Sequence, residues 1–166
     1  MHRDVRRNED NMVEIETRAF GKIAIEEEKI IHFERGILGF PDLKDFTLIY
    51  NIEKGSESSI KWLQSLQEPG FAMPVMNPEL VMPGYTPQFD RDVLTPLGDN
   101  LDSENILMFV TVTVPSDVTK TTVNLKAPII VSVDNRKAVQ LICEDERYNV
   151  KHAIYDELMA HKTVEA

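Results

Sequence analysis

"PIIVSVDNRKAVQLIC", residues 128–143, decides the fold. Two runs rich in β-branched side chains flank Asp134, Asn135, Arg136 and Lys137, polar residues of the kind that form bends. Branching at Cβ suits a pleated, half-buried surface, so the pattern predicts two antiparallel strands joined by a short turn.

The same period of two recurs on either side of this hairpin. Upstream, "ENILMFVTVTV" places Ile106, Met108, Val110, Val112 and Val114 on one face, with Leu107, Phe109, Thr111 and Thr113 on the other. The second face turns from apolar to hydroxyl, which predicts that the strand leaves the interior partway along. Val123 and Leu125 point inward against Asn124 and Lys126. Nearer the N-terminus, Val13, Ile15 and Thr17 alternate with charged residues, Gly21 interrupts, and Ile23 and Ile25 resume. Phe46, Leu48, Tyr50 and Ile52 predict a further strand. Pro74 in "FAMPVM" removes a ladder donor and predicts an edge or a bulge there.

Helical signal is scarce. Thr86-Pro87 predicts the opening of a short helical turn that Pro96 and Gly98 end. Val150, Ile154 and Leu158, four apart, predict a marginal amphipathic helix from about Lys151 to Ala160. Many short strands with Gly and Pro turns and little helix predict a mainly β fold, a small antiparallel β-barrel or barrel-like sandwich with one or two short helices. A length of 166 residues fits one domain, read as residues 12–150, with 1–11 a disordered or extended arm and 151–166 a short helix or tail.

Composition narrows the chemistry. The chain carries 28 acidic and 18 basic residues, a net charge of −10, which disfavours direct nucleic-acid binding and by itself reads as solubility first and as the steering of a basic protein partner second. Cys143 is the sole cysteine, so an internal disulfide and a cysteine-rich metal site are excluded, and a cytoplasmic address follows. The opening "MHRDVRRNEDN" lacks the apolar core of a signal peptide, and the longest apolar run, "ILMFV", is far below the roughly 20 residues of a membrane span. The four histidines, His2, His32, His152 and His161, have no metal-ligand spacing, and no phosphate loop or nucleophile elbow is present. The acidic runs Glu26–Glu28 and Glu144–Glu146 read as solvated turns. No catalytic, cofactor or metal residues are assigned. Trp62 reads as core with an interface anchor as the alternative, and Met73, Met76 and Met82 beside Phe71 read as core with an adaptable binding face as the alternative.

"FERGILGFPDL", residues 33–43, concentrates apolar surface in a segment that Gly36, Gly39 and Pro41 prevent from forming a helix or long strand. It is either a plugged corner of the core or a docking surface. The expectation is that Phe40 points inward to close the barrel while Leu38 stays exposed.

Five blocks, "AFGKIAIEEEKIIHFERGILGFPDL", "KWLQSLQEP", "NPELVMPGY", "TTVNLKAPIIVSVDNRKAVQLI" and "DERYNVKH", together resemble the flagellar assembly factor FliW family over roughly residues 13–154. "NLKAPIIV" with "DNRKAVQ" is the most specific block. Leu38 stands where the family often has proline, Pro74 where a strand residue is usual, and Ser132 where Asn is common. The resemblance implies a non-enzymatic partner switch in the cytoplasm. Such a protein binds the translational regulator CsrA, antagonises its repression of flagellin messenger RNA, and binds flagellin in a chaperone-like way. Candidate partner-binding residues are Ile37, Leu38 and Phe40 on the loop, Asn124 and Lys126 beside the hairpin, and Asn135 and Arg136 at its turn. Two rival classes are an OB-like nucleic-acid module, which needs exposed aromatics with basic neighbours, and a barrel enzyme, which needs a polar pocket for a small ligand.

Overall fold

In the computed structural model the described residues are 6–7, 12–49 and 60–165. Most of the expected N-terminal arm, and the Tyr50 and Ile52 positions of the predicted strand, lie outside them. The strands are β1 (Arg6–Arg7), β2 (Met12–Thr17), β3 (Gly21–Glu26), β4 (Ile30–Phe33), β5 (Asp45–Ile49), β6 (Ile60–Ser65), β7 (Ala72–Met76), β8 (Ile106–Thr113), β9 (Thr122–Val123), β10 (Ile129–Ser132), β11 (Lys137–Gln140) and β12 (His152–Ala153). The helix α1 spans Tyr155–Glu165.

The predicted hairpin is β10–β11, with Ile129 opposite Gln140 and Val131 opposite Ala138. Its turn carries Arg136 at φ 58, the left-handed region, where the residue's N–H donates to the Ser132 carbonyl. β10 also pairs with β8, and this joins the two ends of the run β11-β4-β5-β6-β7-β8 into a closed barrel of seven strands. The barrel is antiparallel except at one seam: β11 lies parallel to β4, with Lys137 beside His32. β1, β2 and β3 form a separate small sheet, and β9 and β12 extend the barrel sheet beyond β8.

Alternation along the strands divides the apolar residues between two sides of the barrel wall. Phe33, Phe46, Leu63, Val75, Phe109, Ile129 and Val131 fill the interior. Met76, Val110, Val112, Val123, Leu125 and Ile154 form an outer core that the long connections and the C-terminal segment cover. The second face of β8 leaves the interior from buried Phe109 through half-buried Thr111 to exposed Thr113, but its first residue, Leu107, is exposed as well, so only Phe109 of that face lies fully inside. Pro74 falls just before the β7–β8 register begins at Val75, so no ladder bond there needs its missing donor. The methionines are core, with Met76 fully buried. Trp62 is half-buried, its ring edge-on to Phe20 at 6.1 Å.

Both predicted helices are displaced. The Thr86 N–H donates to the Tyr148 hydroxyl at 2.9 Å, which holds Thr86 to the core, and the helical turn is a 3-10 segment at Arg91–Leu97 that ends at Gly98 with φ 89. At the C-terminus His152 and Ala153 pair with β9, and the Ile154 N–H donates to the Thr121 carbonyl. The chain is thus held extended through Ile154, and α1 starts at Tyr155 rather than Lys151. Because Ile154 is fully buried, the domain runs past residue 150. Among the described residues no helix is long and apolar enough to cross a membrane.

The outer core hides a tyrosine pair. The Tyr85 hydroxyl donates to the Leu125 carbonyl, and its ring meets that of Tyr148 at 4.6 Å, edge to face. Burial, reinforced by Cys143 and Tyr148, pushes the Tyr85 phenol well above its usual range. The folded protein therefore keeps this proton where the unfolded chain loses it. The contribution to stability is complete below the ordinary phenol range near pH 10 and falls as pH rises beyond it. In urea titrations at rising alkaline pH, the parent should lose stability more steeply than Tyr85→Phe, by about one proton's worth of slope. Parallel curves for the two proteins would contradict this assignment.

Candidate partner-binding surface

The loop after β4 is built around one close approach. Gly36, at φ 69, packs so tightly against Pro41 that a Cβ there would lie 2.3 Å from the Pro41 carbonyl oxygen. Only glycine fits. Ile37 and Phe40 then exchange backbone hydrogen bonds across a four-residue turn, Phe40 N–H to Ile37 at 2.9 Å and Ile37 N–H to Phe40 at 3.3 Å. Gly39 takes φ 87 at the third position, as a type II turn requires.

This geometry reverses part of the expectation for the loop. Ile37, buried at 3% exposure, is the residue that enters the barrel, among Phe33, Phe46 and Ile129. It is core, not docking surface. Phe40 is 49% exposed and Leu38 45%, so the aromatic expected inside lies at the rim. The physical reason is the Gly36–Pro41 contact: it draws the chain inward at residue 37, and the tight turn has returned it to the surface by residue 40. Phe40 is nonetheless anchored. Its ring stands edge-on to Phe71 at 4.8 Å, Phe71 meets Phe46 at 6.2 Å, and Phe46 meets Phe33 at 5.3 Å. Four phenylalanines thus step from the barrel interior to its rim.

A hydrogen-bond relay ties the loop to other candidate residues. The Leu38 N–H donates to Gln140 Oε1 at 3.0 Å, and Gln140 Nε2 donates to the Ala127 carbonyl at 3.2 Å. The Ala127 and Lys126 N–H groups in turn donate to Asn124 Oδ1 at 3.2 and 3.0 Å. Asn124 is therefore a turn-forming residue, half-buried, and it presents Lys126 on the same end of the barrel as Leu38. Ile142, two residues past Gln140, is 62% exposed. Beyond it Asp145 takes hydrogen bonds from the Arg147 guanidinium, which hold its carboxyl down to about 2 and raise the arginine in return. The result is an exposed apolar pair at the rim, Leu38 and Phe40, held by Gln140 and Phe71 behind it.

Asn135 and Arg136 sit elsewhere, at the turn end of the β10–β11 hairpin. Asn135 Nδ2 donates to the Leu97 carbonyl at 2.8 Å and its Oδ1 accepts from the Lys137 N–H at 3.0 Å, which clamps the turn to the 3-10 segment. The Arg136 carbonyl accepts from the His32 N–H at the parallel seam. The candidate residues therefore do not form one surface. Gln140 and Ile142 are not singled out by the sequence, which offers Phe71 only as a neighbour of the methionines and not as the support for Phe40. Gln140 carried a faint signal, as a polar residue closing an otherwise apolar strand.

The chain matches a family model described as FliW protein over residues 14–154. It belongs to the FliW family. Among curated relatives, the "Flagellar assembly factor FliW" of Lachnospira eligens is 47% identical over 144 residues, 87% of this chain and 95% of the relative. The protein of the same description from Lachnoclostridium phytofermentans is 45% identical over 142 residues, 86% of this chain and 90% of that one. A solved structure, "Crystal structure of the flagellar assembly factor FliW", superposes with a TM-score of 0.77 at 31% identity, covering 86% of this chain and 96% of that one. The FliW fold thus accounts for the closed barrel, while the exposure of Phe40 is read from this chain's own loop.

Ile37→Ala should cost about 2–4 kcal/mol in denaturant unfolding, and Phe40→Ala clearly less. Gly39→Ala, with open space at its Cβ, should cost about 1–2 kcal/mol for the left-handed backbone alone, and Gly36→Ala more than that. Equal losses at positions 36 and 39 would show that the Pro41 contact yields easily.

Proposed function

We propose that this protein is a flagellar assembly factor that acts by binding, not by catalysis, in the cytoplasm. One partner is the translational regulator CsrA, whose repression of flagellin messenger RNA it relieves; the other is flagellin, which it binds as a chaperone-like partner switch. The observation that carries the reading is the Leu38–Phe40 corner, apolar, exposed and held rigid by core contacts behind it, in a chain of net charge −10. Interfaces draw most of their energy from a few such anchored apolar or aromatic groups inside a polar rim. The printed description of the curated relatives, flagellar assembly factor, supports the same role.

The barrel's interior bears on the enzymatic alternative. It is packed with side chains, and a cavity of about 240 Å³ lies outside the barrel, lined mainly by Phe89, Leu94, Leu97, Leu101, Ile106, Met108 and Ile130. Among the described residues no group of three or more His, Cys, Asp or Glu side chains is placed to hold a metal ion. The acidic chain suits a basic RNA-binding dimer. To lower that dimer's RNA affinity from a separate site, the complex must carry a coupling free energy of about 1–3 kcal/mol, through altered shape or repulsion of RNA.

Titration calorimetry with the regulator and with flagellin from the same source tests the proposal. Leu38→Ala and Phe40→Ala should each weaken one or both complexes by about 1 kcal/mol or more while the melt shifts little. The association rate with the regulator should fall as salt rises, with the dissociation rate nearly constant. Absence of binding to both proteins would refute the reading; binding indifferent to both variants would move the site elsewhere.

A further inference from the structure

Among the described residues β3 presents a long open edge. It hydrogen-bonds β2 on one side, from Thr17 opposite Gly21 to Met12 opposite Glu26, and among the described residues it has no strand on the other. The far edge of β2 is taken by β1. Ile23 and Ile25 face the small core with Val13, Ile15 and Leu66, and Lys22, Ala24 and Glu26 face solvent. A flat, exposed edge of this kind is a template for another strand.

We propose that the edge accepts the β3 strand of a second copy of this chain, antiparallel, about a two-fold axis through Ala24. Cross-strand charge complementarity argues for this occupant. In that register Ala24 meets Ala24, Ile23 meets Ile25, and Lys22 meets Glu26, and symmetry makes each unlike pair occur twice. The strand's own sequence is its complement. Registers that keep the isoleucines on the core side shift the pairing by two residues and so the centre by one: centred on Ile23 or Ile25, Lys22 or Glu26 faces Ala24 and gains no opposite charge, and centred on Lys22 or Glu26, like charges meet. An edge protected by charge would carry one sign; this one carries opposite signs, equally spaced about its centre. The pairing would extend the small sheet to six strands across the axis. Two short strands bury less than the roughly 1,200 Å² of a standard interface, so the dimer is weak. With each copy at −10, added salt relieves the overall repulsion and favours association.

Sedimentation equilibrium of the full chain at rising concentration, in moderate salt, tests the proposal. The parent should show a monomer–dimer equilibrium in the upper micromolar range. Lys22→Glu or Glu26→Lys alone should weaken it about tenfold or more, because each sets two like-charge pairs across the axis. Mixing the two variants should restore association as a heterodimer, and the double variant Lys22→Glu/Glu26→Lys should dimerise like the parent. Lys22→Glu also gives up the ion pair with Glu14 at 4.0 Å and faces Glu16 across the β2–β3 ladder, so its melt should fall slightly; Glu26→Lys, whose cross-strand neighbour is Met12, should melt like the parent and is the cleaner test. A parent that remains monomeric at millimolar concentration overturns the proposal. So does a dimer indifferent to the single variants, or a mixture that fails to associate.

Discussion

Everything in this fold depends on the ladder between β8 and β10. β10 is buried on both faces and paired along both edges, by β11 on one side and β8 on the other. Without the β8 pairing the seven strands are an open, twisted sheet, and Ile129 and Val131 lose the enclosure that buries them. The joint is also secured at its end. Asn105, just before β8, donates from Nδ2 to the Asn100 carbonyl and to Ser132 Oγ, and its Oδ1 and carbonyl accept from the Asp134 and Val133 N–H groups. One buried amide thus stitches the approach to β8 onto the hairpin turn. In a site with little water, losing any of these partners leaves a polar group unsatisfied, which costs about 1–3 kcal/mol.

Closure explains why helices are few. The barrel wall serves as a partition between two apolar compartments, and alternate residues of β8 and β10 belong to different ones. The outer compartment is sealed by irregular chain: the 3-10 turns, the tyrosine pair and the segment that ends in Ile154. Irregular chain can do this because its backbone groups find side-chain and backbone partners, such as Tyr148 for Thr86 and Asn135 for Leu97. The acceptors on those loops are therefore structural first.

Strand existence and hairpin pairing were legible because both rest on local information, the period of two and the turn residues between runs. The family resemblance was legible for a similar reason, since its blocks keep their order along the chain. The parallel seam between β11 and β4 was not, because no local pattern reports which distant strand lies alongside. The displaced helix starts share that cause: Thr86 and Lys151 look like opening residues until Tyr148 takes the first and β9 holds His152 and Ala153, just after the second, extended. Phe40 was misplaced by one turn's geometry. The sequence shows that the loop is bent and apolar, but which residue goes in depends on a Gly36–Pro41 contact that only the folded backbone reveals.

The parallel seam has a consequence for how the molecule comes into being. It joins His32 to Lys137, roughly a hundred residues apart, and such non-local pairings place β-rich domains among the slow folders, in the millisecond-to-second range. On a growing chain, β4 through β8 can assemble in order by antiparallel pairing of neighbours. They then wait as a five-stranded arc with bare edges on β4 and β8. The β10–β11 hairpin, arriving last, bridges both at once, and until it does those two edges are open to pairing with any other nascent chain nearby.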